Sequence, residues 1–209
     1  IPVLLGFIAG GAFVEWFSGG SIKAVVTGAH RATEFVKKNF NLNLEKAKDE
    51  DSQIVTGICT KYAQKGGEII IPTLILTTLS FALIDPNYFI SYLIGLSVIG
   101  MFRAIYMANA GGAWDNAKKV VEVDLKQKGT ELHDATIVGD TVGDPFKDTT
   151  SVSFNPIIKF SSLFGLIAIE IAVATSVVKD GIASYTIYHR IIGVILFLIS
   201  LIFIYKSFY

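Results

Sequence analysis

Five stretches of this chain are apolar over lengths that match a lipid bilayer, and that fact limits the fold more than any other. A helix needs roughly 20 apolar residues to cross a hydrocarbon layer about 30 Å thick. Residues 2–29, 69–84, 88–110, 154–178 and 190–206 each come near that length. The last contains IIGVILFLISLIFIY with no charge inside it. Backbone amides have no water partner in lipid, so such stretches must be helical. The predicted fold class is therefore all-α: a polytopic transmembrane bundle of about five spans. Composition agrees, since only 17% of residues are charged against roughly 25% in an average globular chain. Formal net charge is zero, which leaves no broad basic field for nucleic acid. The single cysteine, Cys59, excludes an internal disulfide and a cysteine metal cluster.

Lysine and arginine are distributed unevenly between the connections. Residues 30–68 hold Arg31, Lys37, Lys38, Lys46, Lys48, Lys61 and Lys65, and residues 115–148 hold Lys118, Lys119, Lys126, Lys128 and Lys147. The 85–87 turn holds none, and the 178–190 loop only Lys179 and Arg190. The positive-inside rule places 30–68 and 111–148 in the cytoplasm. Within 30–68, ATEFVKKNF and IVTGICTKYAQKGGE read as helices on either side of a turn near 41–51. Asp85-Pro86-Asn87 reads as a turn between spans. The chain opens on Ile1-Pro2-Val3, directly into an apolar stretch, which predicts a piece of a longer polypeptide.

Two motifs carry the chemistry: GGAWDNAKK at 111–119 and GDTVGDPFKD at 139–148. Asp115, Lys118 and Lys119 stand at i, i+3 and i+4, on one helix face. Asp140, Asp144, Lys147 and Asp148 stand at i, i+4, i+7 and i+8, again on one face. If the two helix ends pack together, four carboxylates meet three ammonium groups. Mg²⁺ binds through a few carboxylates together with substrate phosphates, and lysines are point-charge partners for phosphate. That combination suits phosphoryl chemistry. A passive cation channel would gain nothing from three lysines, although a channel segment or a structural membrane subunit remains the rival reading. Solvated, salt-bridged helix ends are the bland alternative for any one of these residues.

A polar stripe runs on from the second motif into the fourth span. With about 100° per residue, Asn155, Lys159 and Glu170 fall within roughly 40° of Asp148. Lys159 lies roughly 16 Å along the axis from Asp148 and Glu170 roughly 33 Å. A lysine inside a span costs about 3 kcal/mol on insertion scales and marks an ion path or a buried ion pair. Glu170 falls near the far interface. Arg103, with Glu15 and Lys23, is a further polar residue in a span, and its position suits helix packing.

GGAWDNAKK, then GDTVGDPFKD, then a span carrying Asn155-x-x-x-Lys159 resembles the membrane-embedded inorganic pyrophosphatases. The resemblance runs through about residue 178 and leaves the span at 190–206 outside it. TSVSFNPIIKF departs from the plant vacuolar form and is more similar to bacterial sodium-pumping members. The resemblance implies about sixteen spans in one homodimeric polypeptide in a bacterial inner membrane, most of them N-terminal to this chain. It implies hydrolysis of pyrophosphate with Mg²⁺, coupled to transport of H⁺ or Na⁺, with K⁺ and Na⁺ as further candidate ions. It assigns Mg²⁺ to Asp115, Asp140 and Asp144, pyrophosphate to Lys118, Lys119 and Lys147, the attacking water to Asp148, and the coupling gate to Lys159 with Asn155.

Overall fold

The computed structural model describes residues 1–40, 49–179 and 182–209, with backbone alone for 177–179 and 182–184. Six helices follow in chain order: α1 (Pro2–Asn39), α2 (Asp49–Ile84), α3 (Pro86–Lys119), α4 (Glu131–Asp144), α5 (Val152–Ala174) and α6 (Ile187–Phe208). A wide π-helical turn, Val120–Asp124, ends α3, and a second, Pro145–Ser151, joins α4 to α5 without a break. The two together run from Glu131 to Ala174 as one 44-residue rod. A short antiparallel ribbon, β1 (Val177–Lys179) with β2 (Ile182–Ser184), turns the chain back into α6. Among the described residues, five helical segments are long and apolar enough to cross a membrane: α1, α2, α3 with its π turn, the α4–α5 rod, and α6.

Helix length decides where the polar motifs stand. At about 1.5 Å per residue, α6 with 22 residues is roughly 33 Å long and little more than crosses the apolar layer. α1 with 38 residues reaches roughly 57 Å and must project well beyond it. α1, α3 and α6 run in one direction and α2 and α5 return, so 30–68 and 111–148 gather at the same end.

The predicted spans fall on these helices, with three changes of boundary. The fourth ends at Ala174, because Thr175 and Ser176 close the helix by bonding back to Ile171 and Val173. The 85–87 turn shrinks to one residue: Asp85 caps α3 by accepting from the Tyr88 amide at 2.9 Å, and Pro86 follows where its lost N–H costs nothing. The fourth span also extends upstream, because the π turn takes Pro145 into a rod that runs on from α4. Of the turn expected near 41–51, residues 41–48, with Lys46 and Lys48, lie outside the described residues, and 49–51 already belong to α2.

The core is aromatic and central. Phe13 and Phe17 of α1, Phe81 of α2, Phe89 and Tyr92 of α3 and Phe154 of α5 are buried together. Phe17 meets Phe154 edge-on at 5.0 Å, and Phe81 meets Tyr92 at 4.9 Å. α1 and α3 cross backbone to backbone. A Cβ added at Gly10 would lie 2.5 Å from both the Tyr92 carbonyl oxygen and the Leu96 nitrogen. Small residues of this kind permit close packing where lipid removes the hydrophobic drive between helices. The Arg103 guanidinium pairs with Glu15 of α1 at 2.9 Å.

Gly10→Val should push α1 off α3 and cost about 1–3 kcal/mol. Gly57→Ala, where an added Cβ meets nothing within 4 Å, should be neutral or gain up to about 1 kcal/mol. Unfolding of the purified full-length protein in a detergent–denaturant titration separates the two.

Candidate active site

The two motifs meet at one helix crossing, and glycines set the distance. A Cβ on Gly111 would fall 2.5 Å from the Gly143 carbonyl oxygen and 2.6 Å from Lys147 Cβ. One turn along, the Trp114 ring lies so close to Gly139 that a Cβ there would sit 2.2 Å from the ring. α3 and α4 therefore approach until side chains one turn further on can exchange charges. Lys118 donates to Asp140 Oδ2. Lys147 and Lys119 both donate to Asp115 Oδ2, at 2.7 and 3.0 Å. Lys147 also lies 3.7 Å from Asp148.

The seven residues do not share one surface. Asp140 and Lys147 take the face that looks onto α3, in line with Gly143. Asp144 and Asp148 each follow one position after that face and are exposed. The side chain of Asp148 is 59% exposed against 17% for Asp115. A single-face reading with a constant angular step fails because α4 is wrapped closely onto α3 and then widens into the π turn at Pro145.

Charge follows the same division. Hydrogen bonds from Lys147 and then Lys119 hold the Asp115 carboxyl down at about 2. Its folded value lies below the ordinary carboxylate value, so these contacts stabilise the fold fully above about pH 4. The contribution fades as pH falls toward 2. The matching bonds raise Lys147 and Lys118. Asp144 moves the other way. Partial desolvation raises it, and the neighbouring Asp140 and Asp148 add to the rise. Asp140 Oδ1 is buried and has no hydrogen-bond partner among the described residues. An orphaned carboxylate oxygen beside a carboxyl destabilised by like charge is a setting that a hard cation relieves. Among the described residues, no three His, Cys, Asp or Glu side chains gather closely enough to hold a metal ion.

Two supports were not evident in the sequence. His133, buried at the start of α4, accepts from the Gly129 amide at Nδ1 (3.1 Å), which leaves Nε2 to donate to Glu122 at 2.7 Å. It thereby clamps the loop between the motifs. Ser21 and Thr150 share a buried hydrogen bond of 2.9 Å that ties α1 to the second π turn. His133 stands three residues after Thr130, which caps α4 through its side chain, and that spacing was the available signal. Nothing local marks the pairing of Ser21 with Thr150.

Asn155 and Lys159 continue down α5 on an exposed face, as does Glu170. No ion pair joins Lys159 to an acid among the described residues.

The sequence pattern of the family described as inorganic H⁺ pyrophosphatase matches residues 1–168. The chain belongs to the inorganic H⁺ pyrophosphatase family. A K⁺-insensitive pyrophosphate-energized proton pump from Chlorobaculum tepidum is 53% identical over 209 residues, covering 100% of this chain and 27% of that protein. A second proton pump of that description, from Pyrobaculum aerophilum, is 38% identical over 181 residues, 84% of this chain and 25% of the relative. A K⁺-stimulated pyrophosphate-energized sodium pump from Thermotoga maritima is 32% identical over 176 residues, 81% of this chain and 24% of the relative. The chain thus spans about a quarter of the length of these H⁺ pyrophosphatase relatives. With its five bilayer-length helical segments, it is part of a multi-pass membrane protein. The bacterial sodium-pumping look of TSVSFNPIIKF stands beside greater identity to the Chlorobaculum proton pump than to the Thermotoga sodium pump.

Gly111→Ala should force the two motif helices apart and cost about 1–3 kcal/mol of stability. The same detergent–denaturant titration of the full-length protein checks this.

Proposed function

We propose that the intact polypeptide hydrolyses inorganic pyrophosphate and uses the reaction to move H⁺ across the membrane, with this chain supplying part of the site. The observation that carries the reading is the crossing of α3 and α4, which interleaves Asp115 and Asp140 with Lys118, Lys119 and Lys147. Aspartates beside lysines suit a substrate that arrives as a metal-complexed polyanion. Na⁺ is the alternative cargo, supported by sodium pumps among the relatives. Identity favours H⁺ and independence from K⁺.

Each side chain then has a role. Lys118, Lys119 and Lys147 turn from their carboxylates to phosphate oxygens and stabilise charge on the departing phosphate. Asp115, Asp140 and Asp144 would hold Mg²⁺, for which the unpartnered Asp140 Oδ1 and the upshifted Asp144 are the supporting observations. When bound, Mg²⁺ would neutralise the diphosphate and polarise its oxygens. Asp148, exposed at the edge of the crossing, orients the attacking water and accepts its proton. The remaining ligands come from N-terminal spans of the same polypeptide, to which the exposed carboxylates are open. Asn155 and Lys159 lie below Asp148 on the continuing rod, so a charge change at the site is felt along the ion path. The lysine bias of 30–68 and 111–148 places the site on the cytoplasmic side of a bacterial inner membrane. We further propose that the whole pump is a homodimer.

Asp148→Asn should lower pyrophosphate hydrolysis by the full-length protein at least about 100-fold, measured as phosphate release with Mg²⁺; full turnover would remove Asp148 from the reaction. Lys159→Ala should reduce ion transport into vesicles more than it reduces hydrolysis. Unchanged transport per pyrophosphate would take Lys159 off the path.

A further inference from the structure

α6 lies beyond the 1–168 stretch that matches the family, and it rests on α2 more than on α1. Midway along, Ser80 of α2 donates to the Gly193 carbonyl at 2.7 Å. α6 meets α1 only near its C-terminal end. There Trp16 Nε1 donates to Ser207 Oγ at 3.0 Å, and Lys23 Nζ donates to the Phe208 carbonyl. The splay leaves a groove bounded by α1, α2 and α6 that holds two cavities.

The cavity at the Ser207 end measures about 360 Å³ and is lined by Lys23, Lys65, Lys206, Thr27 and Tyr62, with no aspartate or glutamate. None of the three lysines pairs with a carboxylate among the described residues. Lys65 Nζ instead lies 5.6 Å from the centre of the Tyr62 ring. The second cavity, about 290 Å³, is lined by Phe13, Trp16, Phe81, Phe197, Leu201 and Ile204. The two are in helical register. α1 contributes Phe13 and Trp16 to the apolar cavity and, one, two and three turns on, Gly20, Lys23 and Thr27 to the basic one. α6 contributes Leu201 and Ile204 to the first and Lys206 to the second. α6 only just spans the bilayer, so Lys206 stands at headgroup level with the apolar cavity beneath it.

We propose that this groove binds one anionic phospholipid, with its phosphate among Lys23, Lys65 and Lys206 and an acyl chain along Phe197, Leu201 and Ile204. Three cations without an acid favour a net negative headgroup over a zwitterionic one, whose own ammonium they would repel. The apolar cavity is what separates a lipid from free phosphate, which has no use for it. The inference rests on the membrane-spanning arrangement and not on the pyrophosphatase reading.

The test uses the full-length protein, stripped of lipid in mild detergent and examined by native mass spectrometry with dioleoyl-phosphatidylglycerol or dioleoyl-phosphatidylcholine. One phosphatidylglycerol per chain should be retained in preference to phosphatidylcholine. Lys65→Gln with Lys206→Gln should weaken that retention about tenfold or more, at roughly fivefold per lysine. Lys23 is left intact because it holds α6. Leu201→Trp, which fills the apolar cavity and leaves every lysine in place, should weaken retention as well. Hydrolysis in detergent should be unchanged in both variants. Equal retention of the two lipids overturns the proposal, as does full phosphatidylglycerol binding by either variant. Displacement of the lipid by millimolar inorganic phosphate would assign the lysines to a soluble anion, and absence of any retained lipid would mean that another span fills the groove.

Discussion

The approach of α3 to α4 at Gly111 and Gly143 is the contact on which the site depends. Two α-helices with ordinary side chains between them keep their axes about 8–10 Å apart. Here backbone stands against backbone, with room for no Cβ on Gly111. Without that approach, Lys118 would not meet Asp140 and Lys147 would not meet Asp115, since both bonds cross between the helices. The charge pairs hold the crossing together in turn, but they cannot form until the backbones have approached. Steric fit comes first, and electrostatics exploits the distance it sets.

The same economy explains the outward-facing carboxylates. Asp144 and Asp148 are exposed, and below them α5 presents Asn155, Lys159 and Glu170 on exposed surface alongside Leu163, Leu166 and Ile167. The relatives are about four times as long as this chain, which leaves ample further polypeptide to pack against this face. A lysine in mid-span without an acid beside it is costly in lipid. On the proposed function, the N-terminal spans cover this face and supply partners for Lys159, and they complete the metal site that these residues leave open. α6 differs in that Ser80 already bonds its Gly193 carbonyl, and Trp16 and Lys23 bond its C-terminal end.

Most of the architecture was legible because the bilayer leaves a chain few choices. Span length and the Asp85-Pro86 junction follow from local pattern, and the opposite charges of GGAWDNAKK and GDTVGDPFKD made their meeting plain as a condition. What escaped was whatever depends on a non-local fit or on a departure from ideal helix geometry. The helical wheel put Asp140, Asp144, Lys147 and Asp148 together. The folded chain sets Asp140 and Lys147 against α3 and leaves Asp144 and Asp148 exposed. The continuity of 140–170 was implied by the stripe, but the widened turn that accommodates Pro145 was not, since a proline ring would break a regular helix. Ser21 with Thr150 stands 129 residues apart in sequence, and no pattern links them before the helices pack.

On the proposed function, the site must survive without its polyanion, and the pairing of lysines with aspartates offers a way. Gathered lysines repel one another when no phosphate is present, and so do gathered aspartates without a cation. Interleaving the two sets lets each neutralise the other, which is why Asp115 holds two lysines and is pulled down to about 2. On the proposed function, a metal-bound diphosphate enters by exchange: its oxygens take the lysines and its cations take the aspartates. Each bond given up is replaced by one of the same kind, so little charge is left unpaired at any stage. Asp148 stands apart from this exchange, with Lys147 no nearer than 3.7 Å. On the proposed function, Asp148 is the carboxylate that orients water, and its exposure leaves it open to do so. On that reading, the unequal pairing of Asp115 and Asp148 is a division of labour that one helix crossing enforces.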